Sequence, residues 1–289
     1  MSLTGAGKIA GVVGWPITHS VSPLLHGYWL RQYNLNGAMV PLAVRPEDFS
    51  SVLSALRKAG FRGVNVTIPH KQAAFAIADS CDEAAKAAGA ANLLLLHADG
   101  RIEARNTDGV GLRDSLKEGL RQSLGEDYMQ GKSAVLLGAG GAARGAVLAL
   151  AALGVSRITI FNRHQERAQA MARELAPLVA CELVAGDNWP HAAAEAALLI
   201  NATSAGMKGR DPLALDLAPL PKAAVVCDIV YNPLHTDLLR RARERGHLCL
   251  DGLGMLMHQA APSFEAFFGV QPEVTQGLRD YLEEALYRV

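Results

Sequence analysis

Short apolar runs alternate along most of the chain with longer stretches in which apolar residues recur at helical spacing. Runs of this kind predict strands, and the spaced stretches predict helices that lay an apolar stripe on a core. Strands are expected at Lys8 to Trp15, Ala38 to Val44 and Gly63 to Ile68. Helices are expected at Pro23 to Tyr33, Pro46 to Ala59 and from Pro69 onward, where a proline without an N–H suits a first turn. Asn92 to His97 and Arg101 to Ala104 flank Ala98-Asp-Gly100 and read as a hairpin. A helix over Asp108 to Leu120 leads through a polar stretch to a second series of strands. These are Lys132 to Leu137, Arg157 to Phe161, Cys181 to Val184, Ala197 to Asn201, Ala224 to Ile229 and His247 to Leu250. Two helices, Met255 to Phe268 and Thr275 to Tyr287, close the chain without accompanying strands.

Strand and helix alternating almost throughout predict an α/β fold with a doubly wound parallel sheet in the middle of the chain. The run LLGAGGAARGA, Leu136 to Ala146, sits between one of those strands and an alanine-rich helix closed by Gly154. A glycine-rich turn in that setting binds the pyrophosphate of a dinucleotide. Gly138 permits the turn, Gly140 lets backbone approach the phosphates, and Ala143 keeps helix and strand close. The helix N-terminus adds unpaired N–H groups and a partial positive charge. The next strand ends Phe-Asn162-Arg163, with Arg167 one helical turn on, where NAD enzymes usually carry a carboxylate for the ribose. Guanidinium groups there suit a 2′-phosphate, so NADP is the expected cofactor. Glu166 is the competing residue.

The chain has 289 residues, half of them hydrophobic and 19% charged, which fits two globular cores. Lys and Arg number 28 and Asp and Glu number 28, so no charge bias favours nucleic acid or anionic lipid. No apolar run reaches the ~18 residues of a membrane span. The opening MSLTGAGKIAGVVGWP has neither the basic start nor the long apolar centre of a signal peptide. The four cysteines are scattered and form no Cys-x-x-Cys pair, as in a protein of a reducing compartment. Cytoplasm is the expected location, and a metal site is not expected.

Polar residues outside the middle of the chain cluster at strand ends, where α/β sheets hold ligands. Ser20 and Ser22, two residues apart before a helix, can share an anionic or hydroxylated group, although Ser22 before Pro23 also reads as a helix cap. Asn65, Thr67, His70 and Lys71 crowd the end of one strand, and Asn106-Thr-Asp108 reads as a turn or cap.

PITHSVSPLLH, GVNVTIPHK, GAAN, NTDGVG, GAGGAARGA, NR…R, INATSAGM, DIVYNP and GLGMLMHQA follow one another from about Ile9 to Val274. In kind and order these blocks resemble the shikimate/quinate dehydrogenase family. The resemblance implies an N-terminal α/β substrate domain, a Rossmann-type nucleotide domain and C-terminal helices returning to the first. On that pattern residues 1–109 with 255–289 form the substrate domain and 110–254 the NADP domain. It implies reversible reduction of 3-dehydroshikimate to shikimate in aromatic amino-acid biosynthesis, by a monomer or homodimer acting on a small molecule. By position, Ser20 and Ser22 match groups that bind the substrate carboxylate. Thr67, Asn92, Asp108 and Gln259 match groups around the ring hydroxyls, and Lys71 matches the catalytic lysine paired with Asp108. Tyr231 matches a tyrosine near substrate and nicotinamide. Gly138, Ala139, Gly140, Gly141, Ala142, Asn162, Arg163, Arg167, Thr203 and Gly252 match cofactor contacts. The chain departs from the pattern at Gly27 and Leu93, where the family often has Asn and Thr. A preference for quinate or aminoshikimate, or a nucleotide-binding protein without hydride transfer, are the alternatives.

Oxidising a secondary alcohol sends a hydride to the nicotinamide and a proton to a base. Lys71 can serve as proton carrier or as electrostatic stabiliser of the alkoxide. His19, His26, His70 and His258 are the other candidates for the acid–base role.

Overall fold

The structure, a computed structural model, describes residues 3–121 and 123–288. It divides into one unit of Met1–Thr107 with Gln259–Val289 and a second of Asp108–His258. The second division falls inside the helix Gly252–Phe268, between His258 and Gln259.

In the first unit the elements are β1 (Lys8–Gly14), α1 (Ser22–Gln32), β2 (Gly37–Ala43), α2 (Phe49–Lys58) and β3 (Gly63–Val66). They continue as α3 (Lys71–Ile77), β4 (Ser80–Cys81), α4 (Glu83–Ala88), β5 (Leu93–Leu96) and β6 (Ile102–Arg105). The six strands form one mixed sheet in the order β2-β1-β3-β5-β6-β4. β1 is parallel to β2 and β3, and β5 is antiparallel to β3 and β6. Val13, Val64, Val66 and Leu94 pack on one face with Phe49 and Leu53 of α2. Glycines admit aromatic rings of the C-terminal segment: a Cβ on Gly63 would lie 2.6 Å from Phe267, and one on Gly37 2.9 Å from Phe268.

The second unit opens with α5 (Asp108–Arg121) and continues β7 (Ser133–Leu137), α6 (Gly141–Ala152), β8 (Arg157–Phe161), α7 (Gln165–Leu175) and β9 (Glu182–Ala185). Then come α8 (Trp189–Ala194), β10 (Leu198–Asn201), β11 (Val225–Asp228), α9 (Asp237–Glu244), β12 (Cys249–Leu250) and α10 (Gly252–Phe268). A last helix, α11 (Gln276–Arg288), follows in the first unit. The second sheet is parallel throughout, in the order β12-β11-β10-β7-β8-β9, the Rossmann arrangement. Its central strands are apolar along most of their length because both faces are covered. Leu136, Ile158, Leu198 and Ile200 meet α5, α6 and α7, whereas Val135, Leu137, Leu199 and Val226 meet Leu238 and Leu239 of α9. Strand order reverses between β7 and β10, which opens a crevice at their carboxyl ends.

Two local expectations fail. Pro69 does not begin a helix: it lies in a turn that the His70 N–H closes onto Thr67 O at 2.9 Å, and α3 starts at Lys71. Ser22 is not the cap of α1. Val21 occupies that position, Ser22 is the first helical residue, and its N–H donates to Ser20 Oγ at 3.4 Å.

Candidate active site

Topology gathers polar residues of the first unit at one end of its sheet. β1 and β3 are parallel, so the segments that follow them, with Ser20 and Ser22 after one and Thr67 and Lys71 after the other, leave on the same side. β5 runs the other way, which places Asn92, just before it, at that same end, and β6 reverses again to bring Thr107 there. Asn92 is the hub. Its Nδ2 donates to Thr107 Oγ1 at 2.9 Å and to Gln259 Oε1 at 3.1 Å, while its Oδ1 accepts from the Thr107 N–H at 2.8 Å. The Thr107 hydroxyl donates to Gln259 O at 2.9 Å. Asn65 joins from β3, donating to Ser263 Oγ at 2.7 Å and to Asn92 O at 3.3 Å. Asn106 donates to Ala90 O, so the Asn106-Thr107 pair braces the cluster and is no mere turn. Lys71 is half-buried at the start of α3, and its carbonyl accepts from the Ala91 N–H at 2.8 Å. The lysine backbone is thereby tied to the residue preceding Asn92.

Asp108 belongs to the second unit, as the buried first residue of α5. The crevice of that unit is lined from four strand ends. Gly138, at φ +114°, closes the turn after β7 so tightly that a Cβ would lie 3.0 Å from Ala202 O and 3.2 Å from Thr203 Cγ2. A Cβ on Gly140 would meet nothing within 4 Å, and Gly140 begins α6 with no side chain capping the helix. Uncapped N–H groups of Gly141 and Ala142 beneath open space suit a pyrophosphate. After β8, Asn162 donates to His164 O at 3.0 Å, and Arg163 and Arg167 are exposed and in no ion pair among the described residues. Glu166 lies 3.8 Å from His164 Nδ1. The two arginines therefore face solvent without a carboxylate partner among the described residues. This donor set fits a dinucleotide carrying an extra phosphate.

A buried polar network orders the other two strand ends, and it was not anticipated from the sequence. Asp228 Oδ1 accepts from Asn201 Nδ2 at 2.9 Å and from the Val230 N–H at 3.1 Å, and Oδ2 accepts from Thr236 Oγ1 at 2.7 Å. Asn201 Oδ1 in turn accepts from the Thr203 hydroxyl at 2.7 Å. Burial pushes the Asp228 carboxyl up to about 6 against these hydrogen bonds. Its signal in the sequence is a polar residue closing an apolar strand, as in LLIN and VVCD. Gly252 packs on the same segment, since a Cβ would lie 2.2 Å from Ile229 O. Burial pushes the Tyr231 hydroxyl up to about 12, so it stays a neutral donor.

Three of the four alternative histidines are otherwise engaged. His70 Nε2 donates to Val44 O at 2.8 Å while its ring stacks on Phe49 at 4.7 Å. His258 Nε2 lies 2.8 Å from Glu118, and His26 is enclosed by aromatic rings. No group of metal-ligating side chains occurs among the described residues.

The chain matches the family description "Shikimate dehydrogenase substrate binding domain" over residues 12–94 and "Shikimate / quinate 5-dehydrogenase" over residues 120–208. It is 47% identical to a protein of Paramagnetospirillum magneticum named shikimate dehydrogenase (NADP(+)), over 97% of this chain and 99% of that one. The chain belongs to the shikimate dehydrogenase family. Solved members superpose on it. Shikimate 5-dehydrogenase of Thermus thermophilus, in complex with NADP(H) and shikimate, has a TM-score of 0.83 at 34% identity, covering 97% of this chain and 99% of that one. Quinate dehydrogenase of Corynebacterium glutamicum, in complex with NAD, has a TM-score of 0.85 at 30% identity, covering 96% and 99%. Of the two departures from the usual family blocks, Leu93 is fully buried in the core, and Asn92 takes its support from Thr107 and Gln259. Gly27 leaves only the tip of Arg31, 3.4 Å from a Cβ, near its helix face.

Proposed function

We propose that this chain catalyses the reversible NADP-dependent reduction of 3-dehydroshikimate to shikimate, in the cytoplasm and as a monomer or homodimer. The observation that carries the reading is the Gly138–Gly140 turn, open to a pyrophosphate at the reversal of strand order, in a chain of this family. Balanced charge gives no overall bias toward nucleic acid, and no described helix is long and apolar enough to cross a membrane. Bound NADP would supply the hydride carrier. The backbone of Gly138 to Ala142 would hold its pyrophosphate, Asn162, Arg163 and Arg167 its 2′-phosphate, and Thr203 and Gly252 the surroundings of its nicotinamide.

The chain's own residues do the rest. Ser20 and Ser22 bind the substrate carboxylate; Thr67, Asn92 and Gln259 take ring hydroxyls, with the Asn92 amide fixed by Thr107. Lys71 moves the proton at the reacting hydroxyl or holds the developing alkoxide, and Asp108 accepts from a ring hydroxyl. Tyr231 donates to the substrate as a neutral phenol. Turnover with shikimate and quinate, each with NADP and NAD, tests the assignment: shikimate with NADP should give the highest kcat/KM. A preference for quinate is the second reading, which the similarity to quinate dehydrogenase supports.

The cofactor reading makes its own prediction. Arg163→Ala should raise KM for NADP far more than for NAD, since losing a charge-assisted contact to phosphate costs about 1.5–3 kcal/mol. Equal loss with both cofactors would place Arg163 outside the phosphate site.

A further inference from the structure

The helix that begins with Asp108 is seated by close approaches at glycines along its length, all within the second unit. Near its carboxyl end, a Cβ on Gly119 would lie 2.5 Å from Leu250 Cδ2. Midway, Ser115 Oγ occupies the space beside Gly254, 2.4 Å from where a Cβ would stand. At the amino end the partner is the glycine-rich helix itself. A Cβ on Gly145 would lie 3.3 Å from the Gly109 nitrogen and 3.4 Å from Asp108 Cβ, and a Cβ on Gly109 would lie 3.1 Å from Gly145 O. Leu112, Leu116 and Leu120 of α5 enter the same apolar cluster as Val147 and Leu150 of α6, so the crossing has little freedom to slide.

We propose that Gly145 is a positioning residue: by lacking a side chain it lets α5 seat against the cofactor helix and so fixes where the Asp108 carboxylate stands relative to the bound nucleotide. The inference rests on the role given to Asp108 above. Two glycines at one crossing are costly as helix residues, since alanine forms helix better; the space beside Gly145 is filled by the Gly109 nitrogen and Asp108, and the space beside Gly109 by the Gly145 backbone. A methyl group at position 145 must push the first turn of α5 outward by a few tenths of an ångström. Gly145 points its missing side chain at α5, and the pyrophosphate turn at Gly138–Gly140 lies in the loop before α6, so the displacement falls on the carboxylate and not on the cofactor.

The test is Gly145→Ala, measured for kcat and for NADPH dissociation, alone and combined with Asp108→Asn. Misplacing a reacting group by about 1 Å costs on the order of 100-fold, so a shift of a fraction of that should lower kcat about tenfold. NADPH binding should stay within about twofold of the parent, and in the Asp108→Asn background the same substitution should change kcat less than about twofold, because the group it moves is no longer acting. Parent-like kcat in a folded Gly145→Ala protein would overturn the proposal, as would NADPH binding that weakens as much as kcat falls, or effects of the two substitutions that multiply. Should Gly145→Ala not fold, Gly109→Ala probes the same crossing from the other helix with the same expected outcomes. Parent-like turnover in Asp108→Asn would instead remove Asp108 from the mechanism, whereas a slow Asp108→Asn beside a normal Gly145→Ala overturns only the positioning.

Discussion

Lys71→Ala is expected to lower kcat by about 10²–10⁴, the usual worth of a positioned acid–base group. Shikimate binding and melting temperature should change little. Two features support that split. The backbone anchor of Lys71, its carbonyl on the Ala91 N–H, survives the substitution, and alanine suits the first turn of α3. The side chain is half-buried at a sheet end and supports no apolar core. Asp108→Ala should also cut kcat, with some loss of substrate affinity, because in the proposed mechanism it accepts a hydrogen bond from a ring hydroxyl. The double variant should be little slower than the slower single one, because the proposed mechanism has both residues act on the same hydroxyl and their effects are then not additive. Near-parent turnover of folded Lys71→Ala would exclude it from the chemistry, and His70 would be a poor substitute, since its Nε2 is held by Val44 O.

The second large effect concerns acid stability. His26 is fully buried, with Trp29 at 6.0 Å and Phe264 at 5.8 Å between ring centroids, and neither ring nitrogen has a hydrogen-bond partner among the described residues. Desolvation pulls it down to about 3, from 6.5 for the free side chain. The folded protein therefore holds this histidine neutral while the unfolded chain protonates it. Its contribution to stability is intact above pH 6.5 and is lost as pH falls from there toward 3, at about 1.4 kcal/mol per pH unit. The full loss is on the order of 4–5 kcal/mol, comparable with the whole stability of a marginal domain. Denaturant unfolding at pH 7 and pH 4.5 should thus separate the parent from His26→Leu, with the variant losing less stability on acidification. Identical losses in the two proteins would mean that other groups carry the acid sensitivity.

The Rossmann half was legible because its strands are short, largely apolar and punctuated by glycines, so pattern alone located Ser133–Leu137 and the turn after it to within a residue. Elsewhere the physics left less trace. β4 is two residues long and carries no periodicity, and α4, EAAKAA, is too short and alanine-rich to show an apolar face. The turn through Pro69, closed by the His70 N–H on Thr67 O, has no signature in the letters, and α3 starts at Lys71, two residues later than the sequence suggests. In the candidate site the individual polar residues stood out, but their partnerships did not. Asn92 is held by a glutamine 167 residues away, and Asp228 and Asn201 look like ordinary strand-end residues until the sheet sets their strands side by side.

The first unit is built from both ends of the chain, and this bears on the order of events during translation. When the ribosome has delivered Thr107, the sheet of that unit is complete, but the rings of Phe264, Phe267 and Phe268, and the Gln259 that steadies Asn92, have not been made. The second unit, an uninterrupted segment from Asp108 to His258, has its two apolar clusters in hand as soon as it emerges. Translated first, the N-terminal sheet should mature last, waiting with Trp29 and its neighbours uncovered through the synthesis of its companion. Nascent chains stalled with residue 258 outside the tunnel should accordingly resist protease in the second unit and be cut in the first, and a newly made chain would be in greatest need of a chaperone over that interval.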